Sequence, residues 1–280
     1  MPNIAIVTGA SSGLGREFVR HIDQGECGKV DEIWVIARRA ERLEALVRTT
    51  GTPVRPFCLD LTDPLSFDLV EGALAETKDA RVTLLVNNAG FGVFGDMALQ
   101  KRDDAPCMIE LLVRAPIEMM YRALPFMSAG SRIINIASVA SFIPQPRLAV
   151  YSAAKRFILD VSRSLDAELG DVDIHVTAVC PKFMDTEFLS SPGDKRTAEK
   201  MTVIGFEKPD HVVKAALRSA RLGKSLCIPA ADMKALYAAS RVVPYKLALK
   251  IERAIRAPIR GSIEKGPAGE SLSRKRLPAI

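Results

Sequence analysis

The 280-residue sequence contains no apolar run approaching the ~18 residues that a membrane span requires. The first strand is expected to begin almost at the N-terminus, which leaves no room for a signal peptide, and the expectation is a cytoplasmic protein. Cysteine and histidine are sparse. The five cysteines, Cys27, Cys58, Cys107, Cys180 and Cys227, are odd in number and lack metal-ligand spacing. They read as thiols in a reducing compartment. His21, His175 and His211 are equally scattered, so no metal site is expected. Negative charge is short at one end: residues 241–280 hold ten Lys and Arg against three Asp and Glu, leaving the first 240 residues nearly neutral. The basic segment has no interleaved aromatics, which argues against nucleic-acid binding.

What is present is a repeated alternation of apolar runs and helical patterns. Strands are expected at Asn3–Thr8, Glu32–Ala37, Val54–Leu59, Arg81–Val86, Arg132–Ala137, Asp173–Val179 and Ser225–Ile228. The intervening helices imply an α/β fold, a doubly wound parallel sheet of the Rossmann-like kind. Asp103–Met127 carries a long helical pattern interrupted by Pro106, Pro116 and Pro125. Residues 1–230 form the expected sheet domain, 231–257 an amphipathic helical extension with a break near Pro244, and 258–280 a basic, disordered tail. Lys246, Lys250 and Arg253 recur at helical spacing, a pattern that suits either a solvated basic face or weak contact with anionic lipid.

The chemistry-bearing residues fall at the expected strand ends. Thr8-Gly9-Ala10-Ser11-Ser12-Gly13-Leu14-Gly15 joins the first strand to a helix, placing backbone amides at a positive helix end where a pyrophosphate fits. Arg38 and Arg39 close the second strand, about 20 residues on, where an acidic residue would bond the ribose hydroxyl of NAD. A guanidinium there suits a 2′-phosphate, hence NADP over NAD. Tyr151 and Lys155, four apart, share a helix face, and Ser138 ends the preceding strand. A hydroxyl donor, a phenol and a cation meeting in one space make a proton-transfer site. The cation is expected to lower the phenol pKa.

Thr8-Gly9-x3-Gly13-x-Gly15, Asp60, Asn87-Asn88-Ala89-Gly90, Ser138, Tyr151-x3-Lys155 and the run Pro181 to Thr186 together resemble the short-chain dehydrogenases/reductases over residues 3–230. The resemblance implies that Gly9 to Gly15, including Ser11, Ser12, Gly13 and Leu14, holds the cofactor phosphates, and that Asp60 and Leu61 meet the adenine. Asn87, Asn88, Ala89 and Gly90 would support the sheet beneath the cofactor, with Pro181 near it and Thr186 on the nicotinamide carboxamide. Tyr151 would be general acid or base, Lys155 its partner and a ribose ligand, and Ser138 would polarise the carbonyl.

Two positions depart from the family pattern: Leu112 stands where an asparagine is usual, and Lys182 where a glycine follows Pro181. An apolar set, Phe91, Val93, Phe94, Phe142, Ile143, Pro144, Phe183, Met184, Phe188 and Leu189, suits a lipophilic ketone or alcohol. Ser190–Lys200 is polar, as a lid would be. The expectation is an NADP-preferring oxidoreductase, a homodimer or homotetramer by resemblance. Its rivals are an NAD-dependent alcohol dehydrogenase and a non-catalytic dinucleotide-binding module.

Overall fold

The computed structural model describes residues 1–184, 205–244 and 247; the expectations that concern Thr186, Phe188, Leu189, Ser190–Lys200, Lys246, Lys250, Arg253 and the 258–280 tail lie outside the described residues. The chain alternates β1 (Asn3–Thr8), α1 (Gly13–Asp23), β2 (Glu32–Ala37), α2 (Ala40–Thr49), β3 (Val54–Cys58), α3 (Leu65–Glu76) and β4 (Arg81–Asn87). It continues through α4 (Asp104–Ile109), α5 (Ala115–Ala123), β5 (Arg132–Ile136), α6 (Ala149–Leu169), β6 (His175–Val179), α7 (Pro209–Arg221), β7 (Leu226–Cys227) and α8 (Ala231–Val242).

The strands form one parallel sheet in the order β3-β2-β1-β4-β5-β6-β7. Strands covered by helices on both faces must be apolar on both sides, and these are. Ala5, Val7, Ile33 and Val35 face a core shared with Phe18 of α1 and Val213 of α7. The alternate residues Ile4, Ile6, Trp34 and Ile36 face the opposite core, with Phe67 of α3 and Met119 of α5. The connection reverses between β1 and β4, and the cleft at that switch point is where such sheets take ligands.

The interrupted helical pattern expected at Asp103–Met127 folds as four consecutive pieces. A π-helical turn at Glu110–Arg114 separates α4 from α5, and a 3-10 turn at Leu124–Phe126 ends the run. Pro116 has no N–H to give the carbonyl of Leu112, so the regular ladder cannot pass that point. The C-terminal extension breaks where expected, near Pro244. α8 ends at Val242, and Val243, which precedes Pro244, is held extended (φ −76°, ψ 126°) because the proline ring disfavours helical backbone before it. α8 packs on the main core: Met233 joins Ile158 and Phe142, with Leu236 and Tyr237 alongside.

Ile6 lies in the central strand with no exposed surface. Ile6→Ala is expected to lower stability by about 2–5 kcal/mol without changing the fold, read from urea unfolding followed by circular dichroism.

Candidate active site

The loop after β1 is shaped by contact. Gly9 has φ +68° and Gly13 φ +50°. A Cβ on Gly9 would meet the Ala89 backbone at 2.8 Å, and one on Gly15 the Gly9 carbonyl at 2.2 Å. The turn therefore fits no side chain at either position. Ser12 precedes α1 in extended conformation and makes no side-chain cap, and the first turn of α1 has no acidic residue. The helix start keeps its amide charge for an anion, so this turn fits the phosphates of a dinucleotide.

The turn is stapled to the end of β4. Thr8 Oγ1 donates to the Val86 carbonyl (3.3 Å) and accepts from the amides of Asn88 (2.9 Å) and Ala89 (3.0 Å). Asn88 Nδ2 donates to the carbonyls of Thr8 (3.0 Å) and Gly9 (3.3 Å). Asn88 thus ties the Asn87–Gly90 motif to the glycine turn. Gly90 lies against Leu112, whose methyl would be 2.8 Å from a Cβ there.

At the end of β2, Arg39 Nη2 donates to Ser11 Oγ (2.9 Å) and Ser12 Oγ (2.8 Å), bringing the guanidinium to the glycine turn. Arg38 lies 3.7 Å from Asp60. Burial alone would raise the Asp60 carboxyl, but two bonds from Thr62 and the Arg38 charge outweigh it and hold the group below its ordinary value. The side chains of Leu14 and Leu61 are buried in the two cores.

Ser138 ends the stretch after β5 and opens a 3-10 turn, Val139–Ser141, its Oγ accepting from the Ala140 amide (3.1 Å). Pro181, after β6, accepts from the Val139 amide (3.1 Å) and so ties that loop to Ser138. Tyr151 and Lys155 are buried on α6, and the phenol hydrogen-bonds the Ser138 side chain. Lys155 Nζ donates to the Ile136 carbonyl at 2.6 Å and lies 5.8 Å from the Tyr151 ring centre. The expected triad is therefore brought together.

The expected lowering of the Tyr151 pKa is not. Burial disfavours the phenolate and pushes Tyr151 up to about 12, with the Ser138 hydrogen bond pulling the other way. Burial likewise pushes Lys155 down to about 8. At neutral pH Tyr151 holds its proton, the form a carbonyl acceptor needs.

Phe91, Val93, Phe94 and Phe183 do border the Tyr151 cluster, with Phe94 and Phe183 6.3 Å apart. Two others from the expected apolar set turn elsewhere. Phe142 packs beneath the site on Tyr237, with ring centres 4.9 Å apart, and Met184 packs against the core on the α1 side. Lys182 neither reaches the site nor faces solvent: its ammonium pairs with Asp232 of α8, and its amide donates to Glu207. The fold also joins Asp210 of α7 to Glu17 and His21, four apart on α1, but the Arg20 guanidinium sits among them, 2.8 Å from Asp210 and 2.7 Å from His21.

Comparison with known proteins agrees with this geometry. The family model for short chain dehydrogenase matches residues 3–197, and the chain belongs to that family. It is an NAD(P)-dependent oxidoreductase acting on alcohol and carbonyl groups. A sulfoacetaldehyde reductase of Chromohalobacter salexigens is 30% identical over 211 residues, covering 72% of this chain and 81% of the relative. A serine 3-dehydrogenase of Agrobacterium fabrum is 31% identical over 195 residues, covering 67% and 74%. The structure of a short-chain dehydrogenase from Sphingobium yanoikuyae in complex with NADPH superposes with a TM-score of 0.71 at 25% identity, over 98% of this chain and all of that one.

Tyr151→Phe removes the phenol hydroxyl that meets Ser138 while keeping the ring. Turnover is expected to fall about 10²–10⁴-fold with dinucleotide affinity unchanged, checked by steady-state assay beside fluorescence titration.

Proposed function

We propose that the protein is an NADP-preferring reductase that converts the carbonyl of a lipophilic small molecule to a secondary alcohol. The observation that carries the cofactor preference is the Arg39 guanidinium bonded to both Ser11 and Ser12 at the edge of the phosphate turn, with Arg38 beside it. A 2′-phosphate on the ribose would gain charge-assisted bonds from this pair, whereas a bare 2′-hydroxyl would face two cations and gain little. The apolar border formed by Val93, Phe94 and Phe183 supports a lipophilic substrate.

The dinucleotide, when bound, supplies the hydride. Ser138 donates a hydrogen bond to the substrate carbonyl oxygen and holds it against Tyr151. Tyr151, protonated at neutral pH because burial disfavours its phenolate, gives that oxygen its proton. Lys155 places a positive charge behind the phenol and steadies the phenolate left after transfer. Residues 1–230 act as the catalytic unit, with 231–257 as an extension and 258–280 as a tail. The reading includes a cytoplasmic location, in keeping with five free thiols. It also includes pairing of two copies, supported by the exposed apolar side chains of Ile109 on α4 and Phe157 on α6.

Titration with NADPH and with NADH tests the preference. NADPH is expected to bind about tenfold or more tightly than NADH, and Arg38→Ala with Arg39→Ala is expected to erase that difference by weakening NADPH alone. Equal affinities in the unaltered protein would contradict the reading.

A further inference from the structure

We propose that α8 braces the substrate side of the site through one ion pair: Asp232 anchors Lys182, and this anchor fixes the neighbouring Phe183 as a wall beside Tyr151. The proposal rests on the reading of a lipophilic carbonyl substrate, and it makes Lys182 and Asp232 positioning residues for Phe183.

Lys182 stands where a glycine usually follows Pro181, so this position carries a side chain able to reach another element. That side chain is only 12% exposed, and a cation so far out of water needs an anion. Asp232, in the first turn of α8, supplies it. Its Oδ1 accepts from the Met233 amide (3.0 Å), which leaves Oδ2 for the Lys182 ammonium. The hydrogen bond from Lys182 holds the Asp232 carboxyl below its ordinary value, so the pair is charged on both sides at neutral pH.

The main chain at Lys182 and Phe183 is held at two further points, both on Glu207. The Lys182 amide donates to Glu207 Oε2 (3.0 Å), and the Phe183 carbonyl accepts from the Glu207 amide (2.9 Å). Glu207 is 9% exposed and lies just before α7. Two attachments to one residue leave rotation about the line that joins them. The ion pair, reaching a different element, removes that rotation. With Lys182 turned to α8, Phe183 packs against the Tyr151 cluster, its ring centre 6.3 Å from that of Phe94.

α8 is in turn fixed to the helix that carries Tyr151. Met233 packs with Ile158 of α6, and Arg163 Nη1 of α6 donates to Tyr237 Oη (3.3 Å). The Tyr237 ring also meets Phe142, in the segment after Ser138, at 4.9 Å. One late helix thus touches the chain that follows β5 and the chain that follows β6. The pair acts on the substrate wall and leaves the proton carrier and the glycine turn alone.

Asp232→Ala removes the anion and leaves the Lys182 charge unpaired. The probes are NADPH and aryl ketones of graded size, from acetophenone to benzophenone. The variant is expected to raise the ketone KM about tenfold while kcat and NADPH affinity stay within about twofold. Lys182→Met is expected to do the same, and the double variant to be no worse than either single one, because both break one link. Asp232→Glu, which keeps the charge, should restore most of the loss. An unchanged KM in both single variants, or effects that add in the double variant, overturns the proposal; a merely structural role would lower stability without separating KM from kcat. A second readout needs no substrate. Hydrogen exchange at the amides of Lys182 and Glu207 is expected to quicken about tenfold in Asp232→Ala, with β1 unchanged, and equal exchange in the two proteins overturns the brace. If the unaltered protein reduces none of these ketones, the lipophilic-carbonyl reading fails while the exchange rates still decide whether the brace exists.

Discussion

Lys155 carries an ammonium into a site closed off from solvent, where its Nζ is held by the Ile136 carbonyl at the end of β5. An isolated buried cation is costly, so a fold that keeps one there must answer it with oriented acceptors. That requirement ties α6 to the end of the central sheet and, by helical spacing, places Tyr151 one turn earlier on the same face. The phenol then meets Ser138, which the β5 end and the Pro181 carbonyl hold in place through the following turn. Moving any one of these elements would break the others' alignment.

The same economy of space operates at the cofactor turn. Gly9 and Gly15 admit no side chain because the β4 end presses on the turn, and Thr8 and Asn88 hydrogen-bond the two together. The parallel sheet brings these strand ends to one edge, and the reversal between β1 and β4 opens the cleft. The glycine turn, the Arg38–Arg39 pair and Tyr151 thus share one rim while being distant in sequence. Membership of the short-chain dehydrogenase family follows from the same set of residues.

Much of this was legible in the sequence, because buried strands announce themselves as apolar runs and because Gly, Ser, Tyr and Lys stood at their ends. Strand positions agreed to within a residue or two: Val54–Leu59 became β3 at Val54–Cys58, and Ser225–Ile228 became β7 at Leu226–Cys227. Properties set by three-dimensional surroundings were not legible. The sequence suggested that Lys155 lowers the Tyr151 pKa, but burial, which no spacing rule measures, dominates and raises it. Phe142 looked like a pocket residue from its position after Ser138, yet α8, arriving some ninety residues later, provides Tyr237 as its partner. The pairing of Lys182 with Asp232 depends on the same late helix. The π turn before Pro116 was foreshadowed by the proline, but its hydrogen-bond form was not. The buried, unpartnered oxygen of Asn87 emerges from a chain of hydrogen bonds spanning β4, β5 and α6, and no local pattern encodes it.

The central claim is that burial, not the neighbouring cation, sets the protonation of Tyr151. The most direct measurement is an ultraviolet difference titration of the phenolate band, unaltered protein against Tyr151→Phe, with circular dichroism confirming that both remain folded across the range. The account predicts that the difference signal for Tyr151 appears well above the ordinary tyrosine value, toward about 12. A Tyr151 signal at or below the ordinary value of about 10 would show that Lys155 outweighs burial, and would contradict the account.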